Sequence, residues 1–141
     1  MEYGDFQNSL YQNAAMGITA LKQVIPEVKN TELKHILIRQ YNNYKRQTEI
    51  TASQMKAKKL TPSFPPLSSR LMAKAGISVR MKKDSSTENI AKMLIKGTNT
   101  GIISLTGELN HTKCDSPEAV QSAKNYLRRE QRYIESLKPF L

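Results

Sequence analysis

The sequence predicts an all-α fold, a four-helix bundle with one long crossover between the second and third helices. Three observations carry this. Apolar residues recur at three- and four-residue spacing along four long segments, two of the three connections are short, and the remaining one is about 25 residues long and basic. With 141 residues, of which 38% are hydrophobic and 24% charged, the chain reads as one globular domain over residues 1–141. It is long enough to bury a core without disulfide or metal staples.

The first helix is expected over residues 5–25, because Phe6, Leu10, Ala14, Ile18, Leu21 and Ile25 share one face, and Pro26 then ends it. Asn30 or Thr31 caps a second helix running to residue 59 along Leu33, Leu37, Tyr41, Tyr44, Thr48, Thr51 and Met55, a stripe with a polar middle. In the connection over residues 60–84, Thr61-Pro62-Ser63-Phe64-Pro65-Pro66 resists helix formation, whereas Ser68 or Ser69 can cap a short helix over residues 70–79. The second helix spans about 40 Å at 1.5 Å per residue. The connection can cross that distance, so the third helix can start at the opposite end.

Ser85-Ser86-Thr87-Glu88 reads as a capping box that opens the third helix, with the stripe Ile90, Leu94, Gly97, Gly101, Leu105 and Leu109. Within it, Gly97-Thr98-Asn99-Thr100-Gly101 is a poor helix run. Close packing against bulky Tyr side chains of the second helix is the expected compensation; a local bulge or a dimer seam are the alternatives. Asp115 or Ser116 as cap, Pro117 at the first helical position and Glu118 in the first turn mark the fourth helix, facing inward through Val120, Ala123, Leu127, Ile134, Leu137 and Leu141. The short connections at residues 26–30 and 111–115 make the first two helices, and the last two, antiparallel partners.

The N-terminal residues carry two acids and no basic, apolar leader, which argues against a secretory signal, and no apolar run approaches the roughly 20 residues that span a bilayer. Cys114, the lone cysteine, is expected as a free loop thiol in a reducing compartment, so the expected location is cytoplasmic. There is no Gly-rich phosphate loop, and neither His lies near a Ser or Cys with an orienting acid. No cofactor is expected, and the residues point away from an enzyme.

Leu127-Arg128-Arg129-Glu130-Gln131-Arg132-Tyr133-Ile134 looks like the fourth helix of a rubrerythrin-type protein, with Tyr133 where the Glu-x-x-His motif has His. The second helix places Tyr44 and Gln47 at the corresponding positions. On these residues the chain resembles the ferritin-like superfamily, in its rubrerythrin-like and spore-coat-protein-like branch. The resemblance implies the ferritin-like form of the crossover and an origin in spore-forming bacteria, with spore association. It also implies a two-metal carboxylate site, which this sequence lacks. Of the bridging acids and paired Glu-x-x-His motifs such a site needs, only Glu130 is matched; Glu2, Asp5, Glu27, Glu88 and Glu108 fall near helix ends.

Glu130 is therefore the remnant ligand candidate, expected on the inner stripe in a polar cluster with Tyr41, Tyr44 and Tyr133. Glu32-Leu33-Lys34-His35 matches Glu-x-x-His literally but sits in a first turn with no second motif facing it. Between Glu49 and Asp84 there is no acid, while Lys56, Lys58, Lys59, Arg70, Lys74, Arg80, Lys82 and Lys83 concentrate positive charge on a chain of net charge +10. Such a segment attracts anions, nucleic acid or an anionic lipid surface among them. Three functions remain open: a non-catalytic, homo-oligomeric assembly or interaction protein, an anion or nucleic-acid binder acting through residues 56–83, and a divergent metal-dependent enzyme.

Overall fold

Five α-helices and two short 3-10 turns account for the regular structure in the computed structural model, which describes residues 3–112 and 116–141; no strand occurs among them. The helices are α1 (Tyr3–Val24), α2 (Thr31–Ala57), α3 (Leu67–Lys83), α4 (Thr87–His111) and α5 (Pro117–Leu137). The expectations for Cys114 and for Asp115 as a cap lie outside the described residues.

Local chemistry sets the ends. Pro26 has no N–H to continue α1, so the chain tightens into a 3-10 turn, Ile25–Glu27. Asn30, not Thr31, caps α2, its side chain accepting from the Leu33 N–H at 2.9 Å. At the other end of α2, Lys59 takes a left-handed conformation, φ 59°. Its N–H then reaches the Lys56 carbonyl at 2.9 Å and the Leu60 N–H the Met55 carbonyl at 2.9 Å, a Schellman closure built without glycine. Ser116 caps α5 by accepting from the Ala119 N–H, with Pro117 following it as the sequence predicts.

Two expected starts are corrected. The short helix foreseen over residues 70–79 is α3, 17 residues long, beginning three residues earlier. Pro66 supplies the start with φ −52° and a carbonyl that accepts from the Arg70 N–H, so Ser68 and Ser69 fall inside the first turn. Before α4, the cap is Ser86, whose hydroxyl accepts from the Asn89 N–H at 3.2 Å, so Glu88, placed to close a box with Ser85, is one position short of closing one with Ser86. Asp84 takes the reciprocal role, its carboxylate accepting from the Ser86 N–H at 2.9 Å, while the Asn89 side-chain amide donates to the Asp84 carbonyl at 2.6 Å.

The helix directions follow from which side chains meet. Ser63 bonds Asn8, and Gln23 donates to the Lys74 carbonyl and to Ser78, so α3 runs along α1 in the same direction and carries the chain back to α1's far end. On α5, Glu130 meets Gln40 and Tyr126 meets Tyr44, which sets α5 antiparallel to α2. One hydrophobic core draws on α1, α2, α4 and α5, with Phe6, Leu10, Leu21, Leu37, Ile90, Leu105 and Leu137 among its most deeply buried members. α3 contributes no fully buried residue and leans on this core through Ile77 and Met81.

The buried positions of α2 are Leu33, Leu37, Gln40, Tyr44, Gln47, Thr51 and Met55. Their four-three alternation from Leu33 to Thr51 is a heptad-like seam. Gln40 and Gln47 stand where Tyr41 and Thr48 were expected, and those two are only half-buried. α5 shows the same alternation through Ala119, Ala123, Tyr126, Glu130, Tyr133 and Leu137, so Ala119 and Tyr126 displace the half-buried Val120 and Leu127 from the inner stripe, Tyr133 joins the buried Ile134, and Leu141 is exposed.

The glycines of α4 do not pack against α2. A Cβ on Gly97 would meet nothing within 4 Å, and one on Gly101 would meet the Asn13 side chain of α1. The close approach to a Tyr of α2 occurs instead at Gly17 of α1, where a Cβ would lie 2.5 Å from the Tyr44 ring. Only glycine admits that ring.

Candidate functional site

Glu130 is 3% exposed and sits at the centre of a buried polar network. Its Oε1 accepts from the Gln40 amide at 2.7 Å, and its Oε2 accepts from the Tyr44 hydroxyl at 2.8 Å. Loss of hydration on burial raises its pKa from the ordinary carboxylate value to about 7, against the opposing pull of those two donors and the Arg129 guanidinium.

Three tyrosines enclose the carboxylate. The Tyr44 ring lies 6.5 Å from that of Tyr133, edge to face, and 6.5 Å from that of Tyr126, tilted. Burial and the neighbouring Glu130 push all three phenols well above their ordinary pKa, so they stay protonated. The Tyr126 hydroxyl donates to Asn13 Oδ1 at 2.5 Å, and Asn13 donates in turn to the Gly101 carbonyl at 3.3 Å, linking α5, α1 and α4. Gln47 accepts from Arg129 at 2.8 Å and donates to the Thr51 hydroxyl at 2.9 Å. The Tyr133 hydroxyl alone among these phenols is buried with no partner among the described residues.

Tyr44, Glu130 and Tyr133 form the deep end of a cleft of about 680 Å³ between α1, α3 and α4. Its walls are largely apolar, with Met16, Ile77, Met93 and Leu105 among them. Of the interior cluster foreseen from sequence, Tyr44, Glu130 and Tyr133 thus come together. Tyr41 does not belong with them: it is half-buried, and its ring carries the Lys45 ammonium 5.8 Å from the centroid. Gln40, Tyr126, Arg129 and Asn13 were missed, because a search for apolar stripes passes over polar side chains, and Gln47 was foreseen only at the Glu-x-x-His position. The four-three phase that α2 keeps from Leu33 to Thr51 and α5 from Ala119 to Leu137 is the signal that identifies Gln40, Gln47 and Tyr126.

Among the described residues, no three His, Cys, Asp or Glu side chains converge as a metal-binding group would require. Glu32 and His35 are exposed in the first turn of α2, and His111 at the end of α4 pairs its ring Nδ1 with the Gly107 carbonyl at 2.7 Å.

The eight basic residues divide. Lys56, Lys58 and Lys59 are exposed at the end of α2; Lys74, Arg80, Lys82 and Lys83 are exposed on α3. Arg70 is half-buried and donates from Nε to the Pro65 carbonyl at 3.1 Å, so it serves the start of α3 rather than the outer charge. No helix among the described residues is long and apolar enough to cross a membrane. Compared with protein families, with characterised proteins and with solved structures, the chain matches none.

Proposed function

We propose that this protein is a non-catalytic helical bundle of ferritin-like topology that works by assembly and interaction, as a homo-oligomer. The pairing of Glu130 is the observation that carries the reading. Each oxygen of Glu130, the one acidic residue buried as a whole among the described residues, accepts from a protein donor, Gln40 or Tyr44, on a helix that offers amides and a phenol where a metal site needs further acids; Glu108 of α4 lines the same cleft with its Oε2 buried. Such a centre makes a network that fixes the register of α2 against α5, in keeping with the use of buried polar groups to specify one packing.

The order of the helices supports the topology: α1 and α2 adjoin through a tight turn, α3 makes the crossover beside α1, and α5 returns against α2. For self-assembly, α4 offers Ile103, 65% exposed, while Gly97, Thr100 and Ser104 of the same helix line the cleft. Sedimentation velocity at low and high salt tests the proposal. A dimer or larger species that persists at high salt is expected, since an apolar seam is little affected by screening. A monomer at every concentration, or turnover of a redox substrate that Glu130→Gln abolishes, would contradict it.

The anion-binding reading stays as the second one. It is favoured by α3, which is exposed along its outer side and carries four of the free cations.

A further inference from the structure

Of the large apolar side chains left exposed, five fall between residues 64 and 79: Phe64, Leu67, Leu71, Met72 and Val79, with Met72 at 75% and Phe64 at 67%. α3 leans on the core through Ile77 and Met81. At about 100° per residue, Ala75 and Val79 then lie on the opposite, outward side, with Leu71 on one flank and Met72, at the rim of the cleft, on the other. Lys74 flanks this strip on one side and Arg80 on the other, while Lys82 and Lys83 close its C-terminal end. No acid lies between Glu49 and Asp84 to neutralise them.

We propose that the outer face of α3, its apolar strip Leu71, Met72, Ala75 and Val79 framed by Lys74, Arg80, Lys82 and Lys83, docks on the surface of an anionic lipid bilayer. This rests on the reading of the protein as one that works by interaction. A bilayer surface offers both halves of the match: acyl chains just below the headgroups take up apolar side chains, and anionic headgroups meet the flanking cations, whose long stems let the charge stay at the surface.

Other occupants match one half only. A nucleic-acid duplex supplies phosphates but nothing apolar for the strip, and Phe64 is the lone aromatic of the segment, so a stacking platform is absent. A second copy brings a strip of its own but places like charges against like, on a chain of net charge +10. The helix is suited to lying on a surface: Gln23 of α1 holds α3 by donating to the Lys74 carbonyl at 2.9 Å and to Ser78 at 2.8 Å, on the flank next to Leu71, and these contacts leave Met72, Ala75 and Val79 clear. About 12 Å of helix separates Leu71 from Val79 at 1.5 Å per residue, so the strip is a short, reversible contact and not an anchor.

The test is flotation of the full chain with vesicles of phosphatidylcholine alone and with phosphatidylglycerol added, at low and high salt, with a DNA duplex as competitor. Three variants accompany it, Leu71→Ser, Val79→Ser and the pair Lys82→Ala with Lys83→Ala; helical circular dichroism shows that each still folds, and sedimentation reads self-association in parallel. Binding to the anionic vesicles only is expected, weakened about tenfold by each apolar change and about twenty-five-fold by the double lysine change.

Equal binding to both vesicle types, or binding that the serine variants leave untouched, would overturn the proposal, the second outcome reducing the segment to a plain polycation. Competition by the duplex in which the serine variants matter equally would reassign the face to nucleic acid. Self-association lost in the serine variants, with no vesicle binding, would assign it to a second copy. Failure to float while self-association persists sinks this inference alone; loss of both removes the interaction reading on which it rests.

Discussion

A carboxylate taken out of water loses hydration that two hydrogen bonds recover only in part, so Glu130 holds its proton in the folded state to about pH 7 against an ordinary value of 4.5. The sign follows from linkage. Between those two values the folded chain binds a proton that the unfolded chain has released, so the contribution of Glu130 to stability is fully present below about pH 4.5 and falls as pH rises toward 7. At about 1.4 kcal/mol per pH unit the full effect is about 3 kcal/mol. Denaturant unfolding at pH 5 and pH 8 is expected to show this loss in the native chain and a flattened difference in Glu130→Gln. Replacement of Glu130 by Ala leaves Gln40 and Tyr44 without their acceptor and should destabilise at both pH values by roughly 2–4 kcal/mol.

The phenols separate in the same way. Tyr44→Phe removes a bond to a buried carboxylate and should cost about 1–3 kcal/mol, whereas Tyr133→Phe removes a buried hydroxyl with no described partner and should be neutral or slightly stabilising. Equal losses in chemical denaturation would show that the Tyr133 hydroxyl has a partner of its own.

At the scale of the elements, the two kinds of glycine make opposite predictions. Gly17→Ala forces a methyl into the Tyr44 ring and should cost about 1–3 kcal/mol. Gly97→Ala meets open space in a helix and should stabilise by about 0.5–1 kcal/mol. Thermal unfolding of both variants measures this, and a stabilised Gly17→Ala would mean that α1 and α2 do not approach as described. α3 has no fully buried residue, so limited trypsin digestion should cut first within or just before it, between Lys58 and Lys83. First cuts inside α5 would contradict that ranking.

What the sequence reveals at this scale is uneven, for physical reasons. Helix starts were legible wherever an Asn, Ser or Pro does the capping in an ordinary way, at Asn30 and at Ser116-Pro117. The length of α3 was not, because a proline pair reads as a break until it is seen to initiate. Glu130 was legible as an interior acid because apolar residues bracket it, but Gln40 was not, since an amide in the core makes sense only once its partner on another helix is known. The role of Gly17 was hidden for the same reason: a lone glycine carries no mark of the ring that covers it.

Across the whole molecule, an interior that holds two helices in register meets an exterior to which the proposed function assigns the interactions. The core is shared by four helices, while α3 carries four of the large apolar side chains left exposed, with Lys74, Arg80, Lys82 and Lys83 beside them. In the proposed function the carboxylate at the centre is structural, held by amide and phenol donors, and does not serve metal chemistry. Elemental analysis of protein purified without added metal, repeated after incubation with iron and manganese, tests that claim most directly. Metal well below one equivalent per chain, unchanged in Glu130→Gln, is the predicted result. About two equivalents of a transition metal per chain, lost in Glu130→Gln, would contradict it and make the interior a working metal centre.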